Sequence, residues 1–285
     1  GMNLKVPEPW TPVRATADST TTLLHAFQWS GASLFPELTV NGNPLLAAPI
    51  SLTLKDYSGT PIALTISDWN LSEDAADYAV YTFAGTAGDK GTIRGSARVE
   101  LDGFAWYEIT FSPAVKEALS LCRLEIPLRP ELGKLCTLSG NYQYSGVVPA
   151  EGKEAGFSFA AWIGHMQGGM QWTAENTQDW HNADPENVMR IVPSDDDVRL
   201  IVDFVDTPVA LEKPLTWRFG LHPTPTRVKP PNWGAFNFLQ TVGLPGPPKA
   251  ARDLQKTNPE KYRQLYLEPW QKRADMGLKT VIVFS

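Results

Sequence analysis

Alternation with a period of two constrains this chain more than any other feature. Ile50, Leu52 and Leu54 alternate with Ser51, Thr53 and Lys55, and Ile62, Leu64 and Ile66 repeat the pattern beyond the turn Tyr57-Ser58-Gly59. Successive side chains of a strand point to opposite faces, so such runs predict strands with one face buried. Asn41-Gly42 and Asp102-Gly103 supply the positive φ that two-residue hairpin turns need, and Leu101 and Phe104 flank the second. Strands are predicted over residues 20–29, 34–40, 49–55, 61–67, 78–83, 91–102, 103–112 and 119–127, and again over 188–192, 198–205 and 215–221. Between them, 70–77 reads as an acidic loop, 112–116 as one helical turn capped by Ser112, and 139–156 as a long polar loop. Ten Trp, twelve Phe and eight Tyr, with 24 Pro and 22 Gly, suit many short strands and turns better than a helical bundle. The fold class predicted is all-β, a large antiparallel β-sandwich or supersandwich.

At 285 residues the chain is long enough for one large domain or two smaller ones. Its net charge is −6 and no Lys/Arg-rich run occurs, which argues against nucleic acid or an anionic membrane as partner, since both need an electropositive face. No stretch approaches the roughly twenty apolar residues of a membrane span. The start, Gly1-Met2-Asn3-Leu4-Lys5, carries no apolar signal core, yet a glycine ahead of the methionine has the look of a tag remnant. Location therefore stays open, a periplasmic, cell-surface or secreted address included.

Cys122 and Cys136 would be near neighbours if the strands around residues 129–134 formed a hairpin, and a bridge would need their Cα atoms within about 7 Å. Two cysteines are too few for a disulfide framework, so free buried thiols are expected. His25, His165, His181 and His222 are dispersed, with no H-x-x-x-H or Cys/His cluster, and neither a metal site nor a cofactor is expected. Asp195-Asp196-Asp197 invites a calcium reading, but calcium ligands usually alternate along the chain, so a solvated turn is the expectation.

The densest chemistry lies in residues 157–180, FSFAAWIGHMQGGMQWTAENTQDW. It reads as strands 157–163 and 170–175 around Gly164-His165-Met166-Gln167-Gly168-Gly169. Trp162 and Trp172 lie within strands, where core packing is the favoured role, although sugar rings also stack on indoles. Trp180 and His165, together with Trp233 further on, lie in turns or loops, and glycan contact and packing stand level there. Glu175 is expected to be buried between Trp172 and Trp180, accepting indole and backbone N–H bonds. Asp179 lies four residues on, yet nothing in the sequence makes the two carboxylates converge as a glycosidase pair.

The run Trp162-x-Gly164-x(4)-Gly169-x-x-Trp172-x-x-Glu175-x(4)-Trp180 resembles a segment of the β-sandwich region that precedes the catalytic barrel in glycoside hydrolase family 123 and its relatives. Phe219-Gly220-Leu221-His222-Pro223-Thr224-Pro225-Thr226-Arg227-Val228-Lys229-Pro230 resembles the run that ends this region, though the stretch between its last prolines is slightly longer than the family pattern. Eight prolines between Pro214 and Pro248 read as a linker, since proline cannot donate to a ladder. Beyond it, helical spacing over 250–256 and 262–276, Gly277 as cap and the apolar run 278–284 resemble the helix–Gly–strand that opens the family's (β/α)8 barrel.

The domain division predicted is a β-sandwich region over 1–222, a Pro-rich linker over 223–248, and a helical segment with the first strand of a truncated barrel over 249–285. The last strand, apolar on both faces, would have to dock on the β region or on a neighbouring molecule, for want of a parallel partner. The family hydrolyses N-acetylgalactosaminides using an Asp-Glu pair inside the barrel, so no catalytic residue carries over to this chain. The resemblance implies a non-catalytic β-sandwich module of a glycoside hydrolase, with its own catalytic barrel and carbohydrate as partners. Two alternatives stand beside it: a stand-alone carbohydrate-binding module, and a supersandwich lyase or mutarotase-like enzyme.

Overall fold

A computed structural model describes residues 6–29, 33–116, 118–139, 144–228, 237–240, 249–268, 271 and 278–282. The chain forms two compact units, Gly1–Arg227 and Val228–Ser285. The first is built from three antiparallel sheets. A five-stranded meander runs β1 (Arg14–Ala15), β2 (Ser19–Thr21), β3 (His25–Gln28), β4 (Glu37–Val40) and β5 (Asn43–Pro44). A six-stranded sheet has β6 (Ser51–Lys55), β7 (Pro61–Ile62), β12 (Leu121–Leu128), β15 (Lys153–Ala155), β18 (Met189–Pro193) and β19 (Val198–Val205), in the order β15-β18-β19-β12-β6-β7. The nine-stranded sheet holds β8 (Leu64–Asp74), β9 (Tyr78–Ala87), β10 (Gly91–Glu100), β11 (Ala105–Pro113), β13 (Leu135–Ser139), β14 (Tyr144–Val147), β16 (Ala160–His165), β17 (Gly168–Thr173) and β20 (Leu215–Thr224). Its order is β14-β13-β16-β17-β20-β11-β10-β9-β8.

Alternation places Tyr81, Ala97, Tyr107 and Phe219 in one cross-strand row on the inner face of the large sheet. Both smaller sheets cover that face. From the six-stranded sheet, Phe204 stacks on Trp217 at 5.7 Å and on Phe219 at 5.6 Å. From the β3–β4 connection of the five-stranded sheet, Trp29 stacks on Tyr81 at 4.5 Å and Phe35 meets Tyr107 edge-on at 5.3 Å. One sheet too wide for a single partner is thus buried under two, and each fully buried aromatic or aliphatic side chain contributes roughly 1.5–3 kcal/mol. The all-β antiparallel sandwich class read from the sequence is the fold observed.

Several local expectations are corrected. Residues 70–74, read as loop, continue β8, the edge strand of the large sheet, with register irregularities at Ile66/Asp68 and Leu71/Glu73. Bulges and charged side chains suit an edge, which explains a polar strand there. In place of a helical turn, β11 runs on to Pro113, and Ala114 N–H then bonds Lys90 O. The polar stretch 139–156 holds the short strands β14 and β15. β12 and β13 do not form a hairpin: the turn closed by Leu132 N–H and Gly133 N–H on Arg129 O carries the chain from one sheet to the other. Cys122 and Cys136 are both buried and free. Asp195 and Asp196 are exposed as expected, but Asp197 is buried, accepting from Ser194 Oγ and paired with Arg199 at 2.6 Å.

Strand β20 passes through Pro223, two residues into the predicted linker. At this point β11 has already ended, its last partner on β20 being Leu221, so no neighbour on that side requires the missing N–H. The second unit overturns the expectation for the tail. Strand β22 (Leu278–Ile282) has a parallel partner upstream, β21 (Asn237–Gln240), inside the stretch read as linker. The crossover that a parallel pair needs is supplied by α1 (Lys249–Thr257) and α2 (Pro259–Tyr262), the latter capped by the Asn258 side chain and continuing as a π-turn over Arg263–Leu267. Trp233 and Gly277 lie outside the described residues.

Candidate functional site

The tryptophan-rich run folds as the hairpin β16–β17, and its two faces have different work. Inward, Trp172 is fully buried, and Phe157, Trp172, Trp180 and Phe204 meet edge-on, with Trp180 5.7 Å from Phe157, 6.3 Å from Trp172 and 5.0 Å from Phe204. T-shaped contacts of this kind add to area burial, so Trp172 and the half-buried Trp180 are packing residues.

Outward, Trp162 is half-buried and shares a face with Gly164, two residues on, and with Gly169, the cross-strand partner of Gly164. A Cβ on Gly164 would collide with the Trp162 ring, and one on Gly169 would come within 2.9 Å of Trp162 Nε1. The indole therefore lies flat on bare backbone, with Nε1–H donating to Thr224 Oγ1 at 3.2 Å. Phe104 repeats the device two strands away, since a Cβ on Gly220 would strike its ring. Trp106 at 6.2 Å and His222, edge-on at 5.4 Å, flank Phe104, and Gln171 is paired across the strands with both Trp162 and His222. The motif spacing W-x-G-x(4)-G thus encodes a flat aromatic ring on the outer face of the nine-stranded sheet.

Glu175 departs from expectation. It is exposed, beside Asn176, Gln178, Thr216 and Arg218, and is not held between the tryptophans. Alternation turns Trp172 and Ala174 inward, so the next residue points out as the strand ends. The structural carboxylate is Asp179, at φ 62°, whose Oδ2 accepts from Thr216 N–H at 3.1 Å. His165 closes the hairpin opposite Gly168, half-buried.

Beneath the outer face, His25 joins three segments. Its Nε2 lies 3.1 Å from Pro225 O and its Nδ1 3.0 Å from Thr22 Oγ1, and a side chain at Gly103 would overlap the ring. The carbonyl can only accept, so Nε2 carries the proton and Nδ1 accepts from the threonine hydroxyl. Burial, reinforced by His222, holds the His25 pKa down to about 4, against the weaker opposing pull of Pro225 O, Pro223 O and Asp102. His222 lies 3.6 Å from Asp102 and is lowered too, by burial. The unfolded chain binds a proton on His25 near pH 6.5 while the folded chain does not until about 4. Stability is therefore complete above pH 6.5 and falls as pH drops towards 4, by up to about 3 kcal/mol from this residue. Denaturant unfolding at pH 7 and 4.5 should show this loss, and a His25→Gln variant should show much less of it. Equal pH dependence in the two proteins would contradict the assignment.

A buried aromatic spine beneath an outward, glycine-seated aromatic face defines an all-β sandwich domain. Residues 27–187 match the family described as "Glycoside hydrolase 123, third domain", and the chain belongs to that family. No curated protein matches the sequence. Among solved structures, the chain overlaps an amine oxidase of Aspergillus nidulans at 7% identity, covering 78% of this chain and 54% of that one, with a TM-score of 0.42. Heparan sulfate lyase HepC of Pedobacter heparinus gives 10%, 77%, 37% and 0.42, and a beta-arabinopyranosidase 10%, 75%, 40% and 0.39. The chain spans about half the length, or less, of these structures.

Proposed function

We propose that the chain is a non-catalytic module of a glycoside hydrolase and that its outer sheet face, around Trp162 and Phe104, packs against the catalytic domain. The observation that carries this is the pair of rings seated flat on Gly164, Gly169 and Gly220. Glycine inside a strand costs about 0.5–1 kcal/mol relative to alanine, and it serves where something must approach the backbone closely. Three such positions on one face produce a level aromatic surface, bordered by the Arg218–Glu108 ion pair at 2.7 Å. Level apolar patches with polar rims suit contact with another protein surface.

The carboxylates nearest the motif support the non-catalytic half of the reading. Asp179 is engaged by a backbone N–H, and Glu175 stands on the open surface. The isolated chain is expected to release no phenol from aryl N-acetylgalactosaminides. Turnover by the purified chain that a Glu175→Gln change abolishes would overturn this reading.

A further inference from the structure

The hairpin's outer face does not exhaust the run. Its turn brings Gln167 and Gly168 beside two other connections: the β4–β5 turn, and the turn from β12 towards β13. Between them lies a cleft of about 420 Å³, lined among others by Asn41, Asn43, Leu45, Arg129, Glu131 and Gln167. That size falls in the range of roughly 300–1,000 Å³ typical of small-molecule sites. The cleft is built on fixed backbone. Asn41 and Gly42 take positive φ of 52° and 74°, Asn43 Nδ2 donates to Asn41 O at 3.1 Å, and Arg129 N–H and Ala47 N–H bond Leu45 O and Pro127 O.

Its chemistry is selective. The charged lining residues are one cation and one anion, Arg129 and Glu131, bonded to each other at 2.6 Å, so they cancel. With no net charge in the lining, neither an anion nor a cation gains an electrostatic advantage over a neutral ligand. Asn41, Asn43 and Gln167 add amides that both donate and accept, while the exposed Pro44 and half-buried Leu132 supply an apolar wall. Hydroxyls along an edge and C–H groups across a face are the features of a neutral pyranose.

We infer that this cleft is a subsite for a neutral sugar residue, with the amides and the Arg129–Glu131 pair bonding hydroxyls and Pro44 and Leu132 facing the ring. The inference rests on the reading of the chain as a glycoside-hydrolase module. Its affinity is that of one sugar unit on an open surface, with Kd on the order of 1 mM.

The test is NMR titration of the ¹⁵N-labelled chain with methyl galactoside, methyl glucoside and methyl N-acetylgalactosaminide, with glucuronate as the charged comparator. Saturable shifts are expected at the Asn41, Asn43 and Gln167 side-chain amides for at least one neutral glycoside, and none for glucuronate. An Asn43→Ala/Gln167→Ala double variant should weaken that binding about tenfold or more while leaving the remaining spectrum dispersed. A Glu131→Ala variant, which leaves Arg129 unpaired in the cleft, should weaken the neutral glycoside and admit glucuronate. Absence of saturation for every neutral glycoside, shifts confined to the Trp162 face, or unchanged binding in both variants would overturn the subsite. None of those results touches the module reading, which is decided separately by turnover and by the behaviour of the outer face in the intact enzyme.

Discussion

A Trp172→Ala variant is expected to lose about 3–5 kcal/mol of stability, the largest effect of any single side-chain truncation in the tryptophan-rich run. Trp172 is fully buried on the inner face of β17, in edge-on contact with Trp180 at 6.3 Å and Phe157 at 6.5 Å. Truncation removes the indole and leaves a void that its ring partners fill only in part, because Trp180 is itself held by Phe204, which in turn stacks on Trp217. By contrast, Trp162→Ala removes a half-buried ring from the outer face and should cost far less. Chemical unfolding of both variants measures the difference. Equal losses would mean that the two faces of the hairpin are not divided as described.

Asp203→Ala should cost a similar amount, about 3–5 kcal/mol, by electrostatics instead of packing. Asp203 is 1% exposed, and two guanidinium groups converge on it: Arg123 Nε at 2.6 Å from Oδ1, and Arg190 Nη2 at 2.6 Å from Oδ2. A second Arg123 bond, from Nη2 to Oδ2 at 3.1 Å, makes that pair bidentate. Removing the carboxylate leaves two half-buried cations, on the two strands that flank β19, with their shared anion gone. For a unit of this size the loss corresponds to a fall in Tm of roughly 6–20 °C. Replacing all three residues by well-packed hydrophobic ones should restore much of it, since desolvating the cluster offsets most of its attraction. A thermal melt of Asp203→Ala within 2 °C of the parent would contradict the account.

What the residues disclosed in advance depended on how local the signal was. The Asp102-Gly103 turn and its flanking alternation define β10 and β11 by themselves, because a hairpin register is set by its own turn. The same rule, carried further, contained more than was expected of it. Trp162 and Gly164 are two apart and so share a face, which foretells the flat indole. Trp172 and Ala174 likewise point Glu175 outward, against the expectation of a buried carboxylate. Asp203 stands alone among apolar neighbours in VRLIVDFV, and a charge in such a strand demands a partner.

Other features had no local signature. That β12 and β13 belong to different sheets depends on pairings far away in sequence, with Cys122 opposite Val205 and Cys136 opposite Ile163. Residues 70–74 look like loop because an edge strand needs no apolar alternation. The four residues of β21 are too short and too polar for periodicity to register, so the parallel partner of β22 stayed hidden. The cleft joins three turns whose proximity is purely tertiary.

We propose that the glycine-seated face around Trp162 and Phe104 meets the catalytic domain. Hydrogen exchange tests it most directly, comparing this chain alone with the same residues in an intact enzyme that carries the catalytic domain. Slower exchange is expected over residues 104–106, 160–164, 169–173 and 220–224 in the intact enzyme, with the outer face of the six-stranded sheet unchanged. Equal exchange at the Trp162 face in both proteins, or protection confined to the six-stranded sheet, would contradict it.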